Sequence, residues 1–83
     1  MTSEQIEKFL HEKHLDKSPV RISFKVRKPF TGIFIKTADY DELKSKNFWR
    51  IVGESNIDSY KASKNTSLAR IYSGMEITRL SAS

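Results

Sequence analysis

Apolar and polar residues alternate without a break from Val20 to Arg27: Val20, Ile22, Phe24 and Val26 fall on one side, Arg21, Ser23, Lys25 and Arg27 on the other. A period of two predicts a half-buried strand. Lys28-Pro29 interrupts it, because proline has no N–H for a ladder and holds the preceding residue extended. A second strand is predicted over 30–36, with Gly32 inside it marking a bulge, a bend or the close approach of another backbone. Upstream the period lengthens. Ile6, Phe9 and Leu10 fall on one face of a helix predicted over residues 2–15, while Glu4, Glu7, Lys8, Glu12 and Lys13 face water. Thr2 and Gln5 have the spacing of a capping box, with Ser3 as a competing cap. Acids early and Lys13, His14 and Lys17 late suit the helix dipole, and Ser18-Pro19 ends the helix.

Downstream, Thr37 to Asn47 reads as a polar loop with one helical turn around 41–44. Phe48-Trp-Arg-Ile-Val52 is a third strand, closed by Gly53. Residues 54–66 form an excursion pinned by Ile57 and Tyr60. Leu68 to Tyr72 is a fourth strand, Ser73-Gly74 a turn and Met75 to Leu80 a fifth strand, before a short tail. The fold class expected is mainly β with an N-terminal helix: a small five-stranded barrel of SH3-like or Sm-like type over residues 19–80. Its core is expected from Val20, Ile22, Phe24, Ile33, Ile35, Ile51, Ile71 and Ile77, with the helix covering one opening.

Length and composition narrow the class. Eighty-three residues make a single domain, 1–83, with one small core, and the absence of cysteine removes disulfides and thiolate metal sites as supports. The first residues lack the basic region and apolar core of a signal peptide, and no apolar run is long enough to span a membrane, so a cytoplasmic protein with no membrane partner is expected. The formal net charge of +5 is concentrated: Lys17, Arg21, Lys25, Arg27, Lys28 and Lys36 follow one another with no acid between 17 and 38. Such a block attracts polyanions if its side chains share a face, and otherwise serves as a solvated, edge-protecting strand face.

The strand pattern resembles the Sm-like family, which comprises Sm and LSm proteins and the bacterial RNA-chaperone host factor. Val20, Ile22, Phe24 and Lys25 lead to Gly32 at a spacing comparable to that family's first motif. Ile71-Tyr-Ser-Gly-Met-Glu-Ile77 is similar to its second, around Gly74 and Ile77. Asp39-Tyr40 falls roughly where the family's aspartate and aromatic lie, and Ser73 stands where its arginine would be. The resemblance implies RNA binding and a homo-oligomeric ring, with 68–72 of one subunit pairing with 75–80 of the next.

Chemistry-bearing motifs are sparse. His11 and His14 can share a helix face but lack a third ligand, and Asp39, Asp41 and Glu42 lack the spacing of a calcium loop. None of the serines sits in a nucleophile elbow, and three glycines make no phosphate-cradling loop. No cofactor and no enzyme activity are expected. The aromatics mostly fill the core, but Phe48 and Trp49 are strand neighbours and point to opposite sides, which makes Trp49 a candidate for an exposed ring. The leading expectation is therefore a small intracellular binding module for RNA. Arg21, Lys25, Arg27, Lys28 and Lys36 would neutralise phosphates while Tyr40 and Trp49 stack on bases. The alternative is a protein-interaction or assembly module with no nucleic-acid role. One continuous basic patch beside an exposed aromatic favours the first; dispersed charge favours the second.

Overall fold

In the computed structural model, residues 1–13 and 15–82 are described, with only the backbone at Glu12 and Lys13. The elements follow the order α1 (Ser3–Lys13), β1 (Val20–Phe24), β2 (Phe30–Phe34), α2 (Tyr40–Ser45), β3 (Phe48–Gly53), α3 (Ile57–Ser63), β4 (Ala69–Ser73) and β5 (Ile77–Ala82). Single 3-10 turns occupy Glu54–Asn56, Thr66–Leu68 and Gly74–Glu76. The capping box forms as the sequence predicts: the Gln5 N–H donates to Thr2 Oγ1 at 3.2 Å and the Thr2 N–H to Gln5 Oε1 at 3.0 Å. His14, inside the span expected to be helical, lies outside the described residues. Among the described residues, no helix is long and apolar enough to cross a membrane.

The five strands make one antiparallel sheet in the order β4-β3-β2-β1-β5. Its two edges are thus the strands joined by the shortest link, Gly74–Glu76. In a flat sheet, four inter-strand spacings of about 4.8 Å would set β4 about 19 Å from β5. The chain from Ser73 to Ile77 spans at most about 15 Å. The sheet must therefore curl, and ring contacts record the curl. Tyr72 on β4 lies 5.6 Å from Phe24 on β1 and 5.6 Å from Phe30 on β2, although β3 lies between them in the sheet.

The curl stops short of the expected barrel, because β4 and β5 form no ladder. The corner where the two strands meet is tied to other segments instead. The Gly74 N–H donates to the Asn47 carbonyl at 2.8 Å. The amino group of Met1 donates to the carbonyls of Gly74 (2.8 Å) and Ile77 (2.6 Å). Asn47, in the left-handed region at φ 61°, binds this corner together: its amide donates to the Met1 carbonyl at 3.0 Å and accepts from the Trp49 indole N–H at 2.9 Å.

Both faces of the sheet are packed. On the concave face, Val20, Ile22, Phe34, Trp49, Ile51, Ile77 and Leu80 close on Ile6 and Leu10 of α1 and Tyr40 of α2. On the convex face, Ile33, Ile35 and Val52 lie against Ile57 and Tyr60 of α3. The excursion pinned by Ile57 and Tyr60 is thus a helix over a second core. One strand position and one core expectation are corrected. Val26, expected on the apolar side of the first strand, is 91 % exposed, because β1 ends at Phe24. Ile71 is 49 % exposed, because it sits on the outer face of an edge strand beyond the reach of α3.

Gly32 is demanded by packing. A Cβ there would lie 2.8 Å from Ile51 Cγ2 and 2.8 Å from the Val52 carbonyl oxygen, whereas at Gly53 the nearest atom is 3.8 Å away. Gly32→Ala is expected to lower stability by about 1–3 kcal/mol through overpacking, and Gly53→Ala by less than about 0.5 kcal/mol, compared by urea denaturation. Equal small losses would contradict this packing.

Candidate functional site

The structure disperses the expected basic site. Arg21 stands on the convex face of β1, opposite Thr31 of β2 and Ser81 of β5. Lys25 follows β1, its N–H bonded to the Glu76 carbonyl at 2.9 Å, and Lys28 is exposed in the same connection. Lys36 lies past the other end of β2, roughly 20 Å along the strand from Phe30, with its Nζ 5.7 Å from the Tyr40 ring centroid. Arg79, unforeseen from the sequence, pairs with Ser23 across β1–β5 and shares the convex face with Arg21. Its signal was the alternation Arg79-Leu80-Ser81-Ala82.

The expected stacking aromatics are corrected. Trp49 is 2 % exposed, edge-on to Phe34 at 6.1 Å and to Tyr40 at 6.0 Å, and its N–H is spent on Asn47. Tyr40 is 8 % exposed, and its buried hydroxyl has no hydrogen-bond partner among the described residues. Burial raises its pKa, with the nearby Glu7 carboxylate adding to the effect. Phe48 takes the exposed side of β3, since Trp49 faces the concave core. Around Tyr40 the charges pair locally. Arg50 donates to Asp39 at 2.8 Å and, with the Thr37 hydroxyl, holds the Asp39 carboxyl down at about 2; Lys44 pairs with Glu7.

A different surface gathers unsatisfied chemistry. A groove of about 290 Å³ opens where the curled sheet brings the end of β1 against β4, lined by Phe24, Val26, Arg27, Ile71, Tyr72, Ser73 and Glu76. The Arg27 guanidinium lies 5.2 Å from the Tyr72 ring centroid and 5.5 Å from that of Phe24, so the rings hold it by cation–π attraction. Among the described residues, no carboxylate pairs with it. All four large apolar side chains exposed among the described residues, Val26, Phe48, Ile71 and Met75, border β4. Val26 and Ile71 line the groove, Phe48 is diagonal to Ile71 across β3–β4, and Met75 follows Ser73 by two residues.

The β4 backbone is open at this surface. Ile35 donates to the Arg50 carbonyl at 3.1 Å, so the backbone groups of Arg50 face β2. Its partner across β3–β4, Ile71, therefore belongs to a non-hydrogen-bonded pair and turns its N–H and C=O outward. The Gly74–Asn47 bond has the complementary parity. Ala69 and Ser73 point outward with Ile71, while Arg70 and Tyr72 face β3.

No family model matches the chain, and neither does any curated protein or solved structure. Among the described residues, no cluster of histidine and carboxylate side chains could hold a metal ion.

Trp49→Ala is expected to cost about 3–5 kcal/mol of stability in urea denaturation, as a core truncation does. Tyr40→Phe, which removes only an orphaned hydroxyl, should leave stability unchanged or raise it by about 1 kcal/mol. A folded, fully stable Trp49→Ala protein would place the indole outside the core.

Proposed function

We propose that the chain is a non-enzymatic binding module whose partner is a protein, docked along β4 and the groove beside it. The observation that carries this reading is the convergence of Val26, Phe48, Ile71 and Met75 on one open sheet edge. A monomer that needed no partner there would bury such groups or interrupt them with charge. The basic residues add no rival centre of equal weight: Lys36 stands at the far end of β2, and the two aromatics expected to stack on bases are core residues.

A second reading rests on a separate observation. Arg21 and Arg79 share the convex face of β1–β5 with Ser23, Thr31 and Ser81, and these strand positions include no acid. That face supports RNA-backbone binding, with specificity left to elements not yet engaged. The two edges of the sheet are also the strands that the Sm-like resemblance pairs between subunits.

A photo-reactive residue placed at Val26 or Ile71 in cells should capture a discrete protein, and the same residue at Lys61, exposed on α3, should not. Ile71→Lys should abolish capture from Val26. In parallel, A-rich and U-rich oligonucleotides titrated by fluorescence anisotropy should show little binding at physiological salt. Tight, steeply salt-dependent binding that is lost in Arg21→Glu/Arg79→Glu, without capture at the groove, would overturn the protein-docking reading in favour of RNA.

A further inference from the structure

The β4 edge specifies more than a protein partner. Resting on the docking reading above, we infer that the ligand is an extended, acidic peptide that adds as a strand to β4 and alternates carboxylate with apolar side chains. Ile71 and Ser73 turn their backbone donors and acceptors outward, and Ala69 its carbonyl, its N–H being bonded to the Thr66 carbonyl; an open row of this kind is the requirement for strand addition. Side chains of an added strand would alternate across the same two faces as those of β4.

The two faces of β4 differ in chemistry. Tyr72 and Arg70 lie on the concave side, paired with Trp49 and Ile51, and Arg27 is stacked over Tyr72. Ile71 lies on the convex side with Phe48 beside it. A ligand residue opposite Tyr72 therefore meets the Arg27 guanidinium, and one two positions away meets Arg70. Both positions call for carboxylates. The ligand residue between them falls by Ile71 and Phe48, where an aliphatic side chain is complementary. Glu76 closes the groove beyond Ser73 and disfavours acid at that end, so the carboxylates lie toward Arg70.

Arg27 is a suitable anchor because its partner is missing rather than its order. Two rings already fix the guanidinium, so little side-chain freedom is lost when a carboxylate arrives, and a guanidinium meets a carboxylate through two parallel hydrogen bonds. The formal net charge of +5 steers acidic segments toward the chain at long range.

The test is a selection of random twelve-residue displayed peptides on the intact protein, followed by amide-resolved NMR titration of the enriched sequence as a synthetic peptide. Enriched peptides should carry acid–apolar–acid alternation and shift the amides of Ile71 and Ser73 most. Arg27→Gln should weaken binding about tenfold without disturbing the spectrum of the free protein, and Arg27→Lys should recover only part of the loss. Methylating the peptide's backbone nitrogens at alternate positions should abolish binding in one phase and not in the other. Peptides that bind β4 without acids, or with unchanged affinity for Arg27→Gln, would overturn the acidic-strand inference and leave the docking reading standing. No enrichment, or shifts confined to the convex face of β1–β5, would overturn both. Self-association of the protein through β4, seen as concentration-dependent shifts at Ile71 and Ser73, would make a second copy the occupant and reject the acidic peptide.

Discussion

Three residues, Gly74–Glu76, tie together the two strands that stand farthest apart in the sheet, and most of the molecule follows from that tether. A link of that length cannot bridge a flat five-stranded sheet, so the sheet bends until its edges meet at one end. Asn47 makes the bend specific. A Cβ on Gly74 would fall 2.0 Å from Asn47 Oδ1 and would push that side chain out of its place. That oxygen in turn accepts from Trp49, and the same side chain donates to Met1. One corner thus fixes the tether, the central strand and the start of α1 together.

The tether also determines where the binding surface forms. Bending brings Tyr72 of β4 over Phe24 and Phe30, and Arg27 settles on the rings of Phe24 and Tyr72. The corner itself is tied to Met1 and Asn47, and β4 and β5 do not pair along their length. The outcome is a curled sheet with an open β4 edge beside an aromatic groove. Full closure would remove that edge, and with it the exposed row of Ile71 and Phe48.

The chain order, the capping box, the five strands and the core of Val20, Ile22, Ile33, Ile51 and Ile77 were legible in the sequence, because period two and period three-and-a-half are local signals. Burial at an edge is not local. Alternation placed Ile71 on a strand face but could not say that nothing covers that face. It extended β1 through Val26, whereas the strand stops at Phe24, where the extra residue Thr78 shifts the pairing with β5, far away in sequence. The second core was written in Ile33-Phe34-Ile35 and Ile51-Val52: consecutive apolar residues need both faces covered, which called for a helix where an excursion was expected. The candidate site was least legible. Period two put Phe48 and Trp49 on opposite sides but left open which side is the core, and Trp49 takes the inside because its N–H finds Asn47 there. The uninterrupted run of cations suggested a patch, but two strands and a turn carry its members to different faces and ends.

The central claim is that β4 is an open edge with alternating backbone exposure, and native-state hydrogen exchange of the β4 amides tests it most directly. In the isolated protein the amides of Ile71 and Ser73 should exchange at nearly unprotected rates, while those of Arg70 and Tyr72, turned toward β3, exchange orders of magnitude more slowly. Uniform protection from Ala69 to Ser73 would contradict the account, since it requires a strand already paired along that edge.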